Sequence, residues 1–194
     1  MSGSSHPFRL KNPGVGRKKM DTREITLASI IAALYAALVI VLAPISFGPI
    51  QLRVADCLLP LAALLGWPAV IGGALGAFIG NAYFMQFTGP IDVVFGALAN
   101  LAAGYLIFRL RRAFLTACLA GSVTVGVVVG GYLWIYFPPP SVGIGMPVWM
   151  AMIVSITLSS VLAIAVIGYL LVQALRSAGV DKMLSSQGLK TYME

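Results

Sequence analysis

Charge is scarce in this chain. Of its 194 residues only 10% are Asp, Glu, Lys or Arg, against roughly 25% in a soluble domain. Hydrophobic residues make up 59%, and the mean hydropathy is +0.95. That balance excludes an ordinary soluble domain and describes an integral membrane protein with no room for a separate soluble unit. Histidine occurs once, as His6 in a polar terminal stretch, which excludes a Ser–His site or a histidine-rich metal site in the apolar part. The two cysteines, Cys57 and Cys118, lie in apolar sequence without ligand spacing. They read as packing residues and leave the redox compartment open. No Gly-x-x-x-x-Gly-Lys-Ser/Thr loop occurs, so the chain does not hydrolyse ATP by that route. Two aspartates in the apolar part, Asp56 and Asp92, lack the Gly-x-Gly-Asp of aspartyl proteases. Neither an enzyme nor a resident cofactor or metal is expected.

What the chain has in abundance is apolar runs parted by turn signals. Residues 1–22 carry Arg9, Lys11, Arg17, Lys18 and Lys19 with no apolar period, and are expected to form a basic, disordered cytoplasmic tail. Apolar runs then cover 23–43, 54–65, 68–85, 88–110, 113–137 and 147–175. The breaks fall at Pro44, Gly48 and Pro49, at Gly66-Trp67-Pro68, at Thr88-Gly89-Pro90 and at Pro138-Pro139-Pro140. The run 54–65 rises only about 18 Å as a helix against a hydrocarbon core of roughly 30 Å. It must be extended by its flanks, lie between other helices, or be re-entrant. With six passes the basic groups 9–23, 109–112 and 176–182 share one side, and only Arg53 falls on the other. That satisfies the positive-inside rule with both termini cytoplasmic. The expectation is an all-α membrane protein: a six-transmembrane-helix bundle over 23–176, multi-pass in the cell membrane, with a short polar tail at 177–194.

Within this apolar sequence, residues 51–100 place Gln51, Arg53, Asp56, Asn81, Gln86, Asp92 and Asn100. Ionisable and amide groups are costly at membrane depth and persist where they face a cavity, a partner or a solute. Asp56 and Asp92 fit two roles, caps of helix starts or ligand contacts. Arg53 fits a snorkelling or Asp56-paired residue as well as a ligand contact. Asn100 lies inside a span, with Gly96 one turn earlier, and must bond a neighbouring helix or a solute. Asn81, after Gly80, is similar, while Gln51 and Gln86 lie in or beside outer loops. Trp134, Tyr136 and Trp149 flank the outer loop between the last two spans, where aromatics form an interfacial belt or stack on a flat heterocycle. Ser155, Ser159 and Ser160 most simply bond their own backbone.

Small residues recur every fourth position: Ala28, Ala32 and Ala36; Gly72, Gly76 and Gly80; Gly126 and Gly130. Such stripes let helices approach closely, within the bundle or against another membrane subunit.

The run Gln51-Leu-Arg-Val-Ala-Asp-Cys-Leu-Leu-Pro-Leu, continuing through Gly66-Trp-Pro-Ala-Val-Ile-Gly-Gly-Ala-Leu-Gly to Gly80-Asn81, resembles the queuosine-precursor transporter family of QueT type. Asp92-Val-Val-Phe-Gly-Ala-Leu-Ala-Asn100-Leu and the basic turn at 109–112 extend the likeness, which covers roughly 25–112. The family belongs to the substrate-binding S-components of energy-coupling factor (ECF) transporters. The resemblance implies a six-helix subunit that takes up a vitamin-like molecule, here a 7-deazaguanine-type base, beneath the loop between its first two helices. It further implies a transmembrane coupling protein and two ATPase subunits as partners, with small residues of helix one, here Ala28, Ala32 and Ala36, at the docking face. Substrate-binding candidates, chosen by polarity and position, are Gln51, Arg53, Asp56, Asn81, Asp92 and Asn100, with Trp134 and Trp149 closing over the ring. Besides that substrate and the membrane lipid, no nucleic acid is expected as partner. Two rivals stand: an ion-coupled secondary carrier using Asp56 or Asp92, and a structural membrane protein whose polar residues only join helices.

Overall fold

The computed structural model describes residues 20–46, 52–137 and 145–193. All regular structure among the described residues is helical. The elements are α1 (Thr22–Val41), a short α2 (Ala43–Ser46), a 3-10 turn (Val54–Leu58), α3 (Leu61–Leu65), α4 (Trp67–Tyr83) and α5 (Met85–Arg109). After a turn at Arg111–Ala113 come α6 (Phe114–Leu133), α7 (Val148–Ser160), a π-helical stretch (Val161–Gly168), α8 (Tyr169–Ser177) and α9 (Val180–Ser186). Four of these helical stretches are long and apolar enough to cross a membrane: Thr22–Val41, Met85–Arg109, Arg111–Leu133 and Val148–Ser177. The 17 residues of α4 rise about 26 Å at 1.5 Å each.

Local chemistry sets the boundaries. Asp21 caps α1 and forms a capping box with Glu24, whose carboxylate accepts the Asp21 amide at 3.1 Å. Gly66, at φ 69°, ends α3 and opens α4, whose first turn takes Pro68. Gly89, at φ 79°, kinks α5 just ahead of Pro90, so the main span begins afresh there. Both turns need a backbone conformation that other residues adopt only with strain.

The short 54–65 segment lies between other helices. Its residues from Ala55 to Leu65 are all buried, and a Cβ on Gly168 of the π-helical stretch would lie 2.7 Å from both the Cys57 carbonyl and Pro60. The π-helical stretch also releases backbone acceptors from the regular ladder. Ser122 of α6 donates to the Ser160 carbonyl at 3.1 Å, sharing its hydroxyl with its own helix at Cys118.

The small-residue stripes are used internally. Gly72 and Gly76 of α4 face α1, where added Cβ atoms would stand 2.6 Å from the Ala28 carbonyl and 2.7 Å from the Ala32 carbonyl. Gly130 of α6 faces the Ile153 backbone of α7 in the same way, at 2.6 Å. Because these obstacles are backbone, Gly76→Leu should force α1 and α4 apart. Its thermal midpoint in detergent should fall well below the parent's, by the 1–3 kcal/mol or more typical of overpacking (about). Large apolar side chains such as Ile30, Leu34, Phe95, Leu98, Val127 and Leu162 point outwards, as a lipid-facing surface requires.

The segment expected as a terminal polar tail folds back on the bundle. After α9 the Tyr192 amide donates to the Leu64 carbonyl at 3.0 Å, and its ring meets Phe108 edge-on at 5.1 Å. Arg23 of α1 donates to the Gln187 carbonyl. Residues 178–193 thus bridge the start of α1, the α3–α4 turn and the end of α5.

Candidate functional site

Two buried polar clusters share one small cavity near the α6–α7 seam. In the first, the Tyr35 hydroxyl of α1 donates to Asp56 of the 3-10 turn. Asn100 of α5 donates through Nδ2 to the Tyr35 oxygen at 2.6 Å and lies 3.5 Å from the same Asp56 oxygen. All three residues are at most 1% exposed. Since Tyr35 gives its single proton to the carboxylate, its oxygen must accept, and this fixes the orientation of the Asn100 amide. Tyr35→Phe should leave both neighbours short of a partner and cost about 1–3 kcal/mol. A lowered unfolding temperature in detergent, with the chain still folded, is the expected outcome.

The second cluster centres on Asp92, near the start of the main α5 span. Tyr132 of α6 donates to Asp92 Oδ1 at 2.6 Å, and Arg53 Nη2 stands 3.6 Å from Oδ2. Asn81 of α4 donates to the Asp92 backbone carbonyl at 2.9 Å, so its carbonyl end is turned elsewhere. Gly96, one turn along α5, leaves room for the Asn81 amide that any Cβ would take. Gly96→Ala should therefore displace Asn81 and weaken whatever the cluster holds.

Four polar atoms in and beside these clusters are buried without a hydrogen-bond partner among the described residues: Asn81 Oδ1, Asp92 Oδ2, Asn100 Oδ1 and Ser46 Oγ. Three of the four can only accept, and of these Asp92 Oδ2 already faces the Arg53 guanidinium at 3.6 Å. A buried acceptor left unmet costs about 1–3 kcal/mol, so the site as it stands asks for donors.

The cavity is lined by Ser46, Arg53 and Asp56 from the segment before α3, by Val125, Val129, Leu133 and Phe137 from α6 and the residues after it, and by Ile156, Ser159 and Ser160 from α7. Its free volume is about 20 Å³, room for roughly one water. The α6 lining is thus apolar while charged and hydroxyl groups line the rest, which suits a flat heterocycle with a polar rim. The closed volume does not admit one. Among the described residues no cluster of His, Cys, Asp and Glu could hold a metal ion.

The sequence-derived candidates divide accordingly. Arg53, Asp56, Asn81, Asp92 and Asn100 come together in the two clusters, and Gln51 lies outside the described residues. Gln86 is exposed. Trp134 and Trp149 stand at the surface, 41% and 47% exposed, and Trp134 donates to the Gly131 carbonyl of its own helix. Leu133 and Phe137 take the apolar wall in their place. Ala28, Ala32 and Ala36 are each 5–6% exposed, with the Ala28 and Ala32 carbonyls against Gly72 and Gly76 of α4, while Ile25, Ile30 and Leu34 of α1 are exposed. Sequence reasoning missed Tyr35 and Tyr132, the two hydroxyls that hold the carboxylates.

With that geometry in place, comparison with known proteins gives the lineage. The family model described as QueT transporter matches residues 25–177. The chain belongs to the QueT transporter family. The match takes in every residue of both clusters described above, from Tyr35 to Tyr132. The chain is also similar to the Queuosine precursor transporter QueT of Lactococcus lactis subsp. cremoris (strain MG1363), at 38% identity over 96 residues. That alignment covers 47% of this chain and 54% of the relative, so the chain spans about half the length of the curated relative it matches. No solved structure matches.

Proposed function

We propose that this chain captures a queuosine precursor, a 7-deazaguanine-type base, at the Arg53–Asp92 and Asp56–Asn100 clusters for uptake across the cell membrane. The observation that carries this reading is the pair of buried acceptors without donors, Asn81 Oδ1 and Asn100 Oδ1, in clusters whose Arg53 and Asp56 line a cavity that also has apolar lining residues. The amino and ring N–H groups of such a base supply those donors, and its flat face suits Leu133 and Phe137. The name of the Lactococcus relative and the family match support the same ligand class.

In this reading α1, the 54–65 segment, α4, α5, α6 and the 148–177 helix are six passes of an ECF S-component-like bundle. The basic ends, with both termini, face the cytoplasm, and the site opens outwards. In the same reading energy comes from a separate coupling protein and two ATPase subunits. Binding requires the α6–α7 wall to part from the 52–58 segment, because about 20 Å³ is far below the roughly 300 Å³ of ordinary ligand pockets.

Uptake into proteoliposomes tests the energy source. The chain alone should bind precursor but not accumulate it under any ion gradient, and accumulation should need the coupling protein, both ATPases and ATP. Gradient-driven accumulation by the chain alone would instead establish an ion-coupled carrier.

A further inference from the structure

The described basic residues other than Arg53 belong to the helix ends and turns at one end of the bundle, with the α9 segment that packs there. Three of them converge. Arg111 and Arg112, from the α5–α6 turn, and Arg176, from the last turn of α8, line a crevice of about 480 Å³ with Gln173 and Tyr192. Arg111 is held in place. It stacks on Phe108 at 4.8 Å and on Tyr192 at 5.6 Å, and donates to the carbonyls of Phe108 at 3.0 Å and Tyr192 at 3.2 Å.

Among the described residues no carboxylate lines the crevice. Arg112 and Arg176 form no hydrogen bond or ion pair among the described residues, where the single ion pair is Arg53–Asp92. A positive-inside bias explains basic residues at this end, but it requires only that they be there. It does not gather three guanidinium groups around one concavity with no counter-charge among the described residues, where they repel one another. Guanidinium forks match phosphate oxygens in pairs, and basic pockets between helix ends suit anionic headgroups.

We propose that the Arg111–Arg112–Arg176 crevice is a phosphate-binding site, taking the phosphodiester headgroup of an anionic lipid or a free phosphate. The bound group ties the end of α8 to the α5–α6 turn and to the returning Tyr192 segment. This site is separate from the proposed precursor site and does not depend on it.

The test places the full chain in nanodiscs of phosphatidylcholine alone or mixed with phosphatidylglycerol, with lipid retention read by native mass spectrometry and stability by thermal unfolding. In phosphatidylcholine, inorganic phosphate is compared with chloride at equal ionic strength. Phosphatidylglycerol should be retained over phosphatidylcholine, and Arg112→Gln/Arg176→Gln should lose roughly thirtyfold of that preference, at about 1 kcal/mol per arginine. If inorganic phosphate stabilises the chain to the same degree, the site holds and its source is soluble. Should the double variant not fold, exposed Arg112→Gln alone should show a partial loss. The proposal is overturned if neither anion is distinguished from its control, or if the variants keep full preference.

Discussion

Replacing Arg53 with alanine should abolish precursor binding and destabilise the chain more than any other single change in the site. Its guanidinium stands 3.6 Å from Asp92 Oδ2, with the two side chains 13% and 0% exposed, and it shares the cavity wall with Asp56. Removing one partner of a buried pair costs about 3–5 kcal/mol, because the other charge is left uncompensated. The double variant Arg53→Ala/Asp92→Ala should recover part of the lost stability, measured as thermal midpoint in detergent. It should not recover binding. A double variant no more stable than Arg53→Ala would show that the pair is not the source of the loss. Restored binding would remove Arg53 and Asp92 from the site.

The second large effect is expected at Asn100. Its Nδ2 holds Tyr35 at 2.6 Å while Oδ1 waits unpaired, so one side chain serves the fold and the ligand with different atoms. Asn100→Asp keeps the waiting acceptor but deletes the donor and sets a carboxyl against Asp56. Asn100→Ala deletes both. Loss of a ligand-facing hydrogen bond, together with slackening of Tyr35, should weaken precursor binding roughly 10- to 150-fold in Asn100→Ala, the equivalent of about 1.4–3 kcal/mol. Tyr35→Phe gives the comparison, since it loosens the same cluster without removing the free acceptor. It should lower stability with a smaller loss of affinity. Equal losses in both variants would make Asn100 a helix-joining residue only.

Helix limits were legible in the sequence because they depend on local chemistry. Gly66-Trp67-Pro68 and Gly89-Pro90 set their turns through backbone freedom that a few residues determine, whereas the Asp21–Glu24 capping box of α1 went unread. The polar members of the site were legible for a related reason: Asp56, Asn81, Asp92 and Asn100 are conspicuous in apolar sequence. Tyr35 and Tyr132 were not, because an aromatic ring in a span looks like packing until its hydroxyl is asked for a partner. That demand was the available signal.

Direction was the harder quantity. Trp134 follows Leu133 by about 100° around α6, so when Val125, Val129 and Leu133 face the cavity, Trp134 turns to the surface. The stripe Ala28, Ala32 and Ala36 has the same spacing whether it meets α4 or another protein. The glycines opposite Ala28 and Ala32, Gly72 and Gly76, come into view only in the structure. The return of Tyr192 to Leu64 depends on contacts across more than a hundred residues, and no local pattern announces it.

The most direct test of the account is equilibrium binding of a tritiated 7-deazaguanine precursor to the purified chain alone in detergent. Saturable binding at one site per chain, competed by unlabelled precursor and lost in Arg53→Ala/Asp92→Ala, is the predicted result. A folded chain that binds no 7-deazaguanine at any concentration tested would contradict it.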